Sequence, residues 1–180
     1  MRTATIVLVA YLLCVIVGAF WRLMPASFLR DAVPDLGAVT AAYLGLTARR
    51  TVAPAVGGSI ALGYLVDLIS GAPPGLIALV LGLTGLVARA VQQRILVRGA
   101  AMTIGFSAFV GLVSALLQLI VRWVNHMPRA HLALELQHIA LCVIATAAIG
   151  PLAWRLFRRI DAAFARTHRE RDAALEGLAP

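Results

Sequence analysis

Asp67 is the residue of this chain whose placement most demands a chemical reason. It lies near the end of a long apolar run, in the segment Gly63-Tyr-Leu-Val-Asp67-Leu-Ile-Ser-Gly71-Ala-Pro-Pro-Gly75. An ionisable side chain inside or just under a bilayer is costly, so it marks a function or a specific partner. Glycines at fixed offsets around it point to a close-packed turn. Two roles follow from this position. The carboxylate can accept the backbone N–H groups of the Ser70–Gly75 turn and hold a tight hairpin, or it can meet a ligand or partner. A second constellation is His131, Glu135 and His138, which fall on one helical face at i, i+4 and i+7. Imidazole and carboxylate at such offsets can bind Zn²⁺, with His126 nearby as a further donor. The same segment opens an apolar run, where interfacial polar side chains are expected without any metal, and no metal or other cofactor is assigned. Gln118 and Gln137 are read as interhelical hydrogen-bonders.

A catalytic site needs several converging polar groups, and the acidic inventory is small: Asp31, Asp35, Asp67, Glu135, Asp161, Glu170, Asp172 and Glu176. Four of these fall in the C-terminal segment, and Asp67 has no second carboxylate within reach along its helix. There is no paired-Asp metal motif, no glycine-rich phosphate loop and no nucleophile beside a base. The expectation is a protein that is not an enzyme.

The elements that must position these residues are set by composition. Of the 180 residues, 61% are hydrophobic and 13% charged, and mean hydropathy is +0.90. A soluble domain is roughly 45–50% apolar and about 25% charged, so the chain is expected to be an all-α integral membrane protein. Apolar runs fall at 4–21, 34–48, 51–70, 74–92, 100–124 and 134–157. A membrane helix needs about 20 apolar residues, within a range of about 17–25. Five runs meet that length; the second, opened by Pro34, does not. The expectation is a polytopic domain over 1–157 followed by a tail over 158–180. Arg2 ahead of the first run resembles a signal peptide, but no Ala-x-Ala-like site closes it, so it is read as a retained helix. Cys14 and Cys142 lie in apolar runs and behave as small hydrophobes.

All 16 basic residues are arginine and the net charge is +8. The arginines cluster between apolar runs, which fits topology signals rather than nucleic-acid binding. With six spans, twelve of them (Arg2, Arg49, Arg50, Arg89, Arg94, Arg98 and the six from Arg155 to Arg171) share a side, against Arg22, Arg30, Arg122 and Arg129. The positive-inside rule then places both termini in the cytoplasm. If the second run does not span, the split becomes 13 to 3 with the N-terminus outside. Small residues recur four apart at Ala41/Gly45, Ala53/Gly57, Ser59/Gly63 and Gly111/Ala115, spacing that lets helix backbones approach closely. In the tail, Phe157, Ile160 and Phe164 form an apolar stripe among Arg158, Arg159, Arg166, Arg169 and Arg171. Such a basic amphipathic segment is expected to lie near the cytoplasmic surface against anionic lipid or to dock a protein.

The pattern Gly63-x-x-x-Asp67-Leu-Ile-Ser-Gly71-x-x-x-Gly75-x-x-x-Leu79 resembles the signature of the rod shape-determining MreD family of bacterial inner membranes. Pro34-Asp35-Leu36 opens the second element as that family often does, ahead of a helix ending in Arg49-Arg50. The resemblance is specific over about residues 34–99 and rests on character alone in the last two runs; Pro73-Pro74 departs from it. It implies a six-helix bundle similar to the substrate-binding subunits of energy-coupling-factor vitamin transporters. It also implies a non-enzymatic role in the cell-wall elongation complex, with partners in the bitopic protein MreC, the MreB filaments and the glycosyltransferase/transpeptidase pair. Pro34, Asp35, Gly63, Asp67, Gly71 and Gly75 are its motif residues. The alternative expectation is a small-molecule (vitamin-type) binding subunit of a transporter, for which the outer segments supply few polar groups: Asp31, Asp35, His126 and His131.

Overall fold

A computed structural model describes residues 2–23, 32–47, 52–71, 73–92, 99–126 and 131–176, with side chains through 166 except those of Arg22 and Gln92. Arg30, Asp31, Arg49, Arg50, Arg94, Arg98 and Arg129 lie outside the described residues, as do the side chains of Arg169 and Arg171. The described chain is all-helical: α1 (Arg2–Arg22), α2 (Leu36–Thr47), α3 (Ala53–Ser70), α4 (Leu76–Gln92), α5 (Ala100–Val124) and α6 (Leu132–Glu176).

Four helices, α1, α3, α5 and α6, are long and apolar enough to cross a membrane, consistent with a multi-pass membrane protein. Their outward faces stay apolar: Leu8, Leu12 and Ile16 form an exposed row along α1, a surface suited to lipid rather than to water. The fourth run had a spanning length in the sequence, yet α4 is 17 residues long. Gly75 and the Pro73-Pro74 pair are taken up by the turn, so the helix begins only at Leu76. At the other extreme, α6 continues without a break through residue 157 to Glu176, with Pro151 inside it.

The second run is the centre of the bundle. α2 has 12 residues, ten of them buried, and measures about 18 Å at about 1.5 Å per residue. A helix apolar all round is buried by its neighbours, and α2 packs against each of the other five. Close approach is paid for in glycine. A Cβ on Gly45 would collide with the carbonyl oxygen of Gly85 on α4, and one on Gly85 would sit 3.1 Å from the carbonyl oxygen of Ala41. α2 and α6 run parallel, with Asp35 against Thr146, Val39 against Gly150 and Tyr43 against Trp154. Each step is four residues, one helical turn on both partners. α5 and α6 run antiparallel, Ser107 meeting Gly150 and Gly111 meeting Thr146.

Of the small-residue pairs, Gly45, Gly63 and Gly111 lie at such contacts, whereas Gly57 faces open space. A Cβ at position 63 would collide with the Ala78 backbone, which cannot yield as a side chain can. Gly63→Ala is therefore expected to cost about 1–3 kcal/mol through overpacking, whereas Gly57→Ala is expected to be neutral or stabilising by up to about 1 kcal/mol. Melting of the two variants in detergent, followed by tryptophan fluorescence, checks the difference.

Candidate functional site: three carboxylate nodes and a cleft

The α3–α4 hairpin is built around Asp67, whose side chain is buried. Its Oδ2 accepts the N–H of Gly75 at 2.9 Å and of Ala78 at 3.3 Å, and its Oδ1 accepts the N–H of Ile77 at 3.0 Å. These are the N–H groups that the first turn of a helix leaves without intrahelical partners. A carboxylate is suited to them because it accepts at both oxygens and its charge opposes the positive end of the helix dipole. Ordinary capping residues sit next to the helix they cap; Asp67 caps α4 from the preceding helix. The glycines make this reach feasible. Gly71 ends α3 with φ 68° and Gly75 turns the chain with φ 96°, conformations that favour glycine. Gly63, one turn before Asp67, lets the α4 backbone come close enough to be capped.

Asp35 holds a second node; the sequence marked it by its motif position beside Pro34 and as one of the few polar groups of the outer segments. It is the N-cap of α2: Oδ1 accepts the N–H of Ala38 at 2.8 Å. Its Oδ2 accepts the Ser114 hydroxyl of α5 at 2.6 Å, and its own N–H donates to Thr146 Oγ1 of α6 at 2.9 Å. Thr146 in turn donates to the Cys142 carbonyl. Gln118, expected to bridge helices, instead donates along its own helix to Ser114 Oγ at 3.5 Å.

The third node lies at the opposite end of the bundle and was missed in the sequence. Arg2 donates through Nε and Nη2 to the two oxygens of Asp161, both at 2.6 Å, and the Tyr43 hydroxyl donates to Asp161 Oδ2 at 2.5 Å. A bidentate guanidinium–carboxylate pair fixes orientation as well as distance. Tyr43 is itself held among Trp154 and Phe157 by ring packing. The sequence offers Arg2 as a topology signal and Asp161 as one of four carboxylates of the C-terminal segment; together they bind the start of α1 to the extension of α6. Of the apolar stripe, Phe157 is buried and Ile160 and Phe164 are half-buried, while Arg158, Arg159 and Arg166 are exposed.

Two adjoining clefts meet at Asp35. The inner lobe, about 260 Å³, lies between α1, α2, α3 and α4, and Val66 and Ile77 beside the Asp67 turn form part of its wall. The outer lobe, about 460 Å³, opens between α5 and α6 past Arg122, Glu135 and Gln137. Asp35, Gln118, His138 and Cys142 line both. His131 and His138 are exposed and Glu135 half-buried; among the described residues no group of three or more His, Cys, Asp or Glu is placed to hold a metal ion. Of the six motif residues, the structure brings Gly63, Asp67, Gly71 and Gly75 together in one hairpin, and sets Pro34 and Asp35 at the cleft.

Replacing Asp67 by Ala would leave three N–H groups of α4 without an acceptor, at a cost of at least about 2 kcal/mol. Asp67→Asn keeps one acceptor oxygen and is expected to fall between Ala and wild type, while Glu135→Gln, at the rim of the outer lobe, is expected to change stability by less than about 0.5 kcal/mol. Thermal unfolding of the three variants in one detergent ranks them; equal behaviour of Asp67→Asn and Glu135→Gln would remove Asp67 from its role as the cap. Comparisons of the chain with protein-family models, with curated proteins and with solved structures find no match.

Proposed function

We propose that this chain is a non-enzymatic scaffold subunit of the bacterial rod-shape and cell-wall elongation complex, of the MreD type, seated in the inner membrane. The observation that carries the reading is the signature itself. Its aspartate and three of its glycines act as parts of one device, the capped α3–α4 hairpin, rather than as a chance spacing. In this reading the protein binds an MreC-type bitopic membrane protein and helps couple MreB filaments to the glycosyltransferase/transpeptidase pair. Both termini face the cytoplasm, a placement supported by the Arg2–Asp161 pair, which sets the start of α1 beside the extension of α6, and by the arginine distribution. The exposed Arg158, Arg159 and Arg166 then lie where anionic lipid or a filament-side partner meets the membrane surface.

A second reading, a small-molecule-binding subunit of a transporter similar in fold to vitamin-binding subunits, is favoured by the two lobes that meet at Asp35. Depletion and co-purification separate the two. The scaffold reading expects rod-shaped cells to round on depletion and an MreC-type protein to co-purify, with Asp67→Asn weakening recovery of the complex more than Glu135→Gln. Normal rods after clean deletion would overturn it. A reporter fused at the N-terminus is expected to signal from the cytoplasm; an external signal would refute the six-span topology.

A further inference from the structure

We infer that the cleft at Asp35 is a binding site for a small amphipathic organic cation, its ammonium group seated on the Asp35 carboxylate and its apolar part in the inner lobe. Three features lead to this ligand class. First, among the described residues Asp35 is the only formally charged side chain lining the inner lobe, and no ion pair reaches it. A carboxylate offers about four acceptor positions. The Ala38 N–H and the Ser114 hydroxyl fill two of these, and a charge held in an apolar bundle without a counter-charge is unfavourable.

Second, the walls facing Asp35 are apolar: Cys14, Val17, Val66, Ile77 and Leu81. Such a lobe favours a hydrocarbon or aromatic body with one or two polar groups, the usual make-up of a ligand pocket. Third, the other ligand classes fit poorly. An anion would meet the Asp35 charge, and among the described residues no group of three or more His, Cys, Asp or Glu is placed to hold a bare metal ion. Gln118 and His138, which line both lobes, supply hydrogen-bonding groups in the same cleft as Asp35. The inference rests on the cleft alone and holds whether the chain acts as a scaffold or as a transporter subunit.

The chain carries its own reporters. Its two cysteines are Cys14, on the inner lobe, and Cys142, on both. The purified full-length protein in lipid nanodiscs is treated with methyl methanethiosulfonate, a small neutral thiol reagent, and labelling of each cysteine is followed by mass spectrometry. The probes are n-hexylammonium, 1-hexanol and hexanoate, matched in length and differing in charge. At about ten times its Kd a competing ligand slows modification about tenfold. Hexylammonium is expected to protect both cysteines at concentrations where hexanol protects little and hexanoate least. In Asp35→Asn, where the amide still caps α2, the advantage of hexylammonium over hexanol is expected to vanish. Equal protection by the three probes in the wild-type protein would overturn the inference without recourse to any variant, as would undiminished hexylammonium protection in Asp35→Asn.

Discussion

Three backbone N–H groups at the start of α4 converge on the Asp67 carboxylate, and the rest of the packing depends on that convergence. In a bilayer no water is at hand for an open helix end, and each unsatisfied group is costly. By capping α4 from within α3, Asp67 closes the hairpin and fixes how far along α3 the next helix begins. That register brings Ala78 onto Gly63 and carries Gly85 to the level at which Gly45 of α2 can approach it. The glycines are effective because the carboxylate has set the register, and the carboxylate is satisfied because the glycines let the backbones meet.

α2 is the element this arrangement encloses. It is too short to match a bilayer by itself, and its burial inside the bundle removes the requirement that it should. Its two ends carry the other polar nodes. Asp35 at the N-terminal end joins α5 and α6, and Tyr43 near the C-terminal end reaches the Arg2–Asp161 pair. Between them the four-residue register with α6 is kept for two helical turns. The polar groups at either end thus act as stops on a helix whose apolar sides would otherwise permit sliding, because dispersion contacts between smooth apolar surfaces specify register weakly compared with directed hydrogen bonds.

The same economy shapes the cleft. Asp35 is at once the cap of α2, a tie to two other helices and the charge on which both lobes converge. Val66 and Ile77 of the inner wall flank the Asp67 turn, so the hairpin that Asp67 caps also forms part of the lobe. A scaffold role and an occupied cleft are therefore physically compatible. A ligand in the inner lobe would contact α1, α2, α3 and α4 together and stabilise their mutual packing.

The sequence by itself determined the solvent and the punctuation. Composition and the six apolar runs are local properties, and they led to an all-helical chain with spanning segments. The offsets of Gly63, Asp67, Gly71 and Gly75 were legible for the same reason, since a tight hairpin is built from neighbours in the chain. What the sequence could not supply were contacts between residues far apart along it. Arg2 and Asp161 are separated by 159 positions, and nothing in either neighbourhood distinguishes a clamp from two surface charges. Asp35 with Ser114, Gly45 with Gly85 and the central burial of α2 are of the same kind. Each depends on which faces of the helices meet, and in a bundle apolar on nearly every face hydrophobic periodicity carries little of that information. Only the tertiary structure decided it, through the few places where small residues let backbones touch and polar groups found partners.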